Sequence, residues 1–184
     1  MVAKALSKKE LTRLLTHAGL VLVAFELIKS LIVEPIKTFY SNTTFGAGMP
    51  FTTYEADVLS RHRNEFEACL LYLRDFMQAI DADDVDAIQA LRTHRNDVAH
   101  NLARRLPAWN VDNYVPLLER ADRALFKLSN YQTYIEIGSD PRFQGKGIDW
   151  NSVKGHEYLL FEHVLNKIKH DQGKGELGPA QPRT

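Results

Sequence analysis

The sequence predicts an all-α protein, an up-and-down bundle of four to five helices in a single domain. Three observations carry that reading. Apolar residues recur three and four apart over long windows. Helix-start and helix-stop signals punctuate the chain between those windows. No segment shows the period-two alternation with β-branched enrichment of a strand, and no internal repeat is present. A chain of 184 residues suits one compact domain, drawn at 1–170, followed by a tail at 171–184 whose glycines and prolines predict flexibility.

The first helix is expected from Ser7 to Glu34, opened by the capping box Ser7/Glu10 and stopped by Pro35. Its uncharged stretch, Leu14 to Phe25, is far shorter than the about 20 residues a membrane span needs. Glu26, Lys29 and Glu34 then continue the helical pattern, so the segment reads as a buried helix and no membrane association is expected. Ser41 to Thr53 reads as a long loop without a phosphate-cradling motif, and no site is assigned to it. A second helix is expected over Thr53–Ile80, opened by a capping box of Thr52 and Glu55, with Cys69 as an inert buried thiol.

The acidic run Asp81–Ala87 lacks the ligand spacing of a calcium loop and reads as the start of a third helix, about Asp83–Leu106, capped by one of its aspartates. The core stripe of that helix is Val85, Ile88, Leu91, Val98, Leu102 and Leu106, and Pro107 ends it. A fourth helix, about Asp112–Ile137, tolerates Pro116 in its first turn. Trp109, Tyr114, Tyr131 and Tyr134 are assigned to packing, and the loop Gly138–Trp150 to a connector. The last helix opens at Asn151 or Ser152 and ends near His170. His156, His163 and His170 recur every seventh residue, a rise of about 10.5 Å that is too long for two ligands of one ion, so they form a surface row.

Composition excludes some functions. Basic and acidic residues balance at 23 each, which argues against a protein that coats nucleic acid through bulk charge but leaves room for a local basic patch. A single cysteine allows neither an internal disulfide nor a cysteine zinc site, which fits a reducing, cytoplasmic setting. Neither a metal nor a cofactor is expected.

The chemistry concentrates in Leu91–Leu106, LRTHRNDVAHNLARRL, and within it in RNDVAH, Arg95 to His100. Guanidinium neutralises and orients phosphate oxygens through a fixed fork of donors, and imidazole moves protons near neutral pH. Asn96 and His100, four apart, share a helix face, whereas Arg95 and His100 lie roughly 140° apart around the axis. Arg95 therefore reaches round the helix or meets the His100 of a second copy. It begins beside the core-facing stripe, so it either snorkels to a cleft or pairs with a carboxylate, Glu67 and Asp75 being the candidates. Arg92, His94, Arg104 and Arg105 flank the motif and suit a basic groove for phosphates, although any one of them reads equally as part of a charged solvated face. The structural alternative is an ion pair and a hydrogen-bonded histidine that tie helices together.

An Arg followed by Asn, with a His a few residues further on in a leucine-rich helix, resembles the signature of the HEPN superfamily, matched here by Arg95, Asn96 and His100. The match covers six of 184 residues. The resemblance implies a small all-helical domain of the kind found in toxins, abortive-infection proteins and other antiviral-defence ribonucleases. It also implies a homodimer with two motifs facing a shared cleft, RNA as substrate, and an antitoxin or defence-system protein as a possible partner. In that setting Arg95, Asn96 and His100 are the catalytic residues of a metal-independent endoribonuclease. The alternative is a catalytically silent helical domain that binds a nucleic acid, a nucleotide or a protein.

Overall fold

A computed structural model describes residues 6–106, 109–110, 114–138 and 140–173, without the side chains of 171–173. Among these residues there are six helices and no strand: α1 (Lys8–Asn42), α2 (Tyr54–Asp57), α3 (Glu65–Asp75), α4 (Ala82–Arg105), α5 (Val115–Ile137) and α6 (His156–Gly173). The architecture is the all-α bundle the periodicity predicts. The centre is α1, which packs against α3, α4, α5 and α6. Among the described residues, no helix is long and apolar enough to cross a membrane.

The start of α1 follows the sequence signal: the Ser7 hydroxyl accepts from the Glu10 amide, and the Glu10 carboxylate accepts from the Ser7 amide. Its end does not. Pro35 lies inside the helix, which runs on to Asn42. Proline removes the amide that would bond the carbonyl four residues back, here that of Leu31, and this carbonyl accepts instead from Gln132 Nε2 of α5 at 2.8 Å. With the orphaned acceptor satisfied, burial of Ile32, Val33 and Ile36 on both sides of the proline holds the helix together.

The expected second helix is broken. Thr53, rather than Thr52, caps the single turn of α2 by accepting from Ala56 N, a 3₁₀ turn follows at Leu59–Arg61, and His62 is extended. Asn64 then starts α3 afresh, its Oδ1 accepting from the Glu67 amide at 3.2 Å. The far end of α3 stops short of Ile80 because Gln78 adopts φ 53°, which turns the chain so that Ala79 N donates to Leu73 O. A left-handed glutamine carries no sequence signal of the kind a glycine would.

Asp81 caps α4 in a reciprocal box with Asp84, and Lys127 of α5 bridges both carboxylates at 2.7 Å. Pro116 sits in the first turn of α5 as expected. The last helix starts at His156, several residues later than predicted, because Asn151–Gly155 is pinned to α5. Asn130 Nδ2 donates to the carbonyls of Trp150 and Val153, and Gly155 N donates to Ser129 Oγ. His156, His163 and His170 are all exposed. The helix also extends past His170 to Gly173. Pro107, Asp112 and residues 174–184 of the expected tail lie outside the described residues.

The main core joins α1, α3, α4, α5 and α6 around Ile28, Ile32, Leu70, Leu91, Leu125 and Phe161. A separate, smaller apolar cluster of Ala18, Val21 and Val98, flanked by Leu22, Leu102 and Trp109, lies where α1 meets the RNDVAH segment of α4. The motif therefore rests on the thinner part of the interior.

Candidate functional site

The inward stripe of α4 runs Val85, Ile88, Leu91, His94 and Val98, with Leu102 and Leu106 half-buried. This register places His94 on the core side, three residues after Leu91 and four before Val98. His94 is only 6% exposed. Its ring stacks on Tyr114 at 3.6 Å between centroids and 19° between planes, with His17 and Trp109 completing an aromatic nest. Burial pushes its pKa down to about 4, against a smaller upward pull from Asp97, and its Nε2 has no hydrogen-bond partner among the described residues. His94 was expected among the phosphate-facing residues; the fold makes it a neutral packing residue beneath them. The 3–4 spacing from Leu91 to Val98 carried that signal.

Arg95 sits at the rim of the same stripe, as its position beside the core predicted, but its carboxylate partner is neither Glu67 nor Asp75. Its Nη2 donates to Glu26 Oε1 of α1 at 3.0 Å, its Nη1 donates to Asn96 Oδ1 at 3.2 Å, and its guanidinium carbon stands 5.4 Å from the centre of the Phe25 ring. Glu67 is taken by Arg92 and Gln89, and Asp75 by Arg74 at 2.6 Å. A partner on α1, 69 positions away, is not legible from the spacing of α4.

Arg95 and Asn96 are thus brought together, and His100 stands apart. It lies on the row Asn96–His100–Arg104, four residues per step, is exposed, and makes no hydrogen bond to Arg95 or Asn96 among the described residues. Arg104 donates to Asn101 Oδ1 at 2.8 Å, a neutral partner that leaves its charge uncompensated by that contact. Arg105 is spent on Asp97, at 3.1 Å. The Asn101 amide and the Arg105 guanidinium hold the Asp97 carboxyl below its ordinary range. Arg92 is likewise paired with Glu67 and lies over Phe66. Of the flanking cations, Arg104 is therefore the best placed to meet an added phosphate beside His100.

A concavity lies elsewhere. A cleft of about 600 Å³ opens at the other end of α1, lined by Lys37, Tyr40, Ser41, Phe45, Thr52 and Tyr54 among others. Its walls belong partly to the Ser41–Thr53 loop, to which the sequence assigns no site. They are held by hydrogen bonds: Tyr40 OH and the Thr52 hydroxyl donate to Asp57 at 2.8 and 2.7 Å, and Lys37 pairs with Glu65 at 2.9 Å. The 15 residues from Glu26 to Ser41 rise about 22 Å along the helix, so this cleft and the motif are separate places. Cys69 is buried with its thiol pKa raised, desolvation being the main cause. Among the described residues, no three His, Cys, Asp or Glu side chains cluster as metal ligands.

No protein-family model matches the chain, and neither a curated protein nor a solved structure does.

Proposed function

We propose that the chain is a metal-independent endoribonuclease of the HEPN type, acting as a toxin or antiviral-defence effector, with its active site at a cleft between two copies. The observation that supports this reading best is the side-by-side arrangement of Arg95 and Asn96, hydrogen-bonded to each other on the same helix as an exposed His100. Because Asn96 Oδ1 accepts from Arg95, its amide NH₂ is left to donate to a phosphate oxygen.

The reaction is a transesterification within the substrate. The RNA 2′-oxygen attacks the adjacent phosphorus, the bond from phosphorus to the 5′-oxygen breaks, and the products are a 2′,3′-cyclic phosphate and a 5′-hydroxyl. His100 takes the proton of the attacking hydroxyl or gives one to the leaving oxygen. Arg95 stabilises the negative charge that grows on the nonbridging oxygens, and Asn96 orients one of them. Since Arg95 is hydrogen-bonded to Asn96 and Glu26 and not to His100 within one chain, a second copy would supply the missing partner.

Purified protein incubated with tRNA and total RNA in EDTA should produce cyclic-phosphate ends, and His100→Ala should produce none. RNA that stays intact, or cleavage that survives in the mutant, overturns the reading. A second reading is favoured by the seating of Arg95 on Glu26 and Phe25: a silent binding or scaffolding domain in which the arginine ties α4 to α1. It predicts that Arg95→Ala lowers the melting temperature or breaks the dimer, with no nuclease activity to lose.

A further inference from the structure

We propose that Glu26 is a working part of the motif site: its carboxylate occupies the seat on Arg95 that a substrate phosphate takes, so it acts as a built-in competitor that sets how readily the motif accepts an anion. The proposal rests on the phosphodiester reading of the same residues and adds a residue that RNDVAH does not contain.

The argument lies in the order of the contacts around the guanidinium. Phe25, beneath it, is buried, and Asn96 is half-buried on the same helix. Glu26 closes the solvent side: its side chain is 58% exposed, against 28% for Arg95. Of the three contacts, Glu26 is therefore the one that can swing into water without uncovering apolar surface. Carboxylate and phosphate oxygens make the same charge-assisted bonds to the guanidinium fork. An anion that takes Nη2 displaces Glu26, whereas Asn96 and Phe25 keep the guanidinium oriented throughout. The pair is exposed enough for its coupling to be modest, so the seat is occupied but not locked.

The test uses the full chain and two probes: inorganic phosphate, followed through the Arg95 Nε–H NMR signal, and a 2′-O-methyl RNA oligonucleotide, which binds without being cleaved. Glu26→Gln keeps the shape of the side chain and removes its charge. It should tighten binding of both probes by about two- to fivefold, the range that corresponds to an exposed ion pair. Glu26→Asp, which keeps the charge but shortens the reach, should fall between Gln and wild type. Glu34→Gln makes the same change of net charge on the exposed side of α1 and should leave both affinities unchanged. The gain should vanish when Glu26→Gln is combined with Arg95→Ala. Unchanged or weaker binding in Glu26→Gln, an equal gain in Glu34→Gln, or an Arg95 signal that ignores phosphate in every variant overturns the proposal. Phosphate competition without any RNA binding or cleavage overturns the ribonuclease reading and leaves the competition by Glu26 standing.

Discussion

His94 shows how little separates a chemical residue from a packing one in this helix. It sits next to Arg95, yet one step of 100° takes it from the rim into the aromatic nest of His17, Trp109 and Tyr114. Its pKa is lowered to about 4 from an ordinary 6.5. The unfolded chain therefore binds a proton below pH 6.5 that the folded chain refuses until about pH 4, and stability falls as the pH drops through that window. At pH 5 the loss should be about 2 kcal/mol relative to pH 7. Urea unfolding at the two values checks it, and His94→Phe, which keeps a ring against Tyr114, should remove most of the difference. The sequence made Arg95, Asn96 and His100 visible because their types and spacing suit phosphate chemistry. It hid Glu26 because a helix's own periodicity says nothing about which residue of another helix lies across from it.

At the scale of the element, the capped starts of α1 and α4 were the legible part. Ser7 and the acidic run at Asp81 announce their helices through groups that satisfy backbone amides a few residues on, a local matter that a local pattern records. The end of α1, the break before α3 and the late start of α6 were not legible, because they are settled at a distance. Pro35 would stop an isolated helix, but Gln132, 101 positions from Leu31 in the chain, supplies the missing donor. Removing that donor leaves a carbonyl without its partner. Gln132→Ala should cost about 1–3 kcal/mol in urea unfolding. In a Pro35→Ala background, where the backbone bond to Leu31 can form again, the same change should cost clearly less. Equal costs in the two backgrounds would show that Gln132 serves some other purpose.

For the whole molecule, the issue is whether the motif is complete. Within one chain, Arg95 and His100 stand on different faces of α4, as their separation of five predicted, and the cleft beside Lys37 and Tyr40 lies at the C-terminal end of α1. If the site is composite, with Arg95 from one copy and His100 from the other, inactive Arg95→Ala and His100→Ala proteins should restore activity when unfolded together and refolded as a mixture. Half of the dimers would be mixed, each with one intact site, so the recovered rate should approach about a quarter of wild type. Cleavage assays before and after mixing give the answer, and size-exclusion chromatography shows whether the dimer exists. A site contained within one chain would recover nothing.

The continuity of α1 past Pro35 has a mechanical consequence. One rod, roughly 50 Å long, carries Glu26 near its middle and Lys37, Tyr40 and Ser41 at its far end, so a load applied at either place is transmitted along a single stiff member. Gln132 is the splice at the one point where the rod lacks its own backbone strut. Cutting the splice should turn the rod into two shorter levers that move independently, visible as faster amide exchange around residues 36–39 than around residues 24–28.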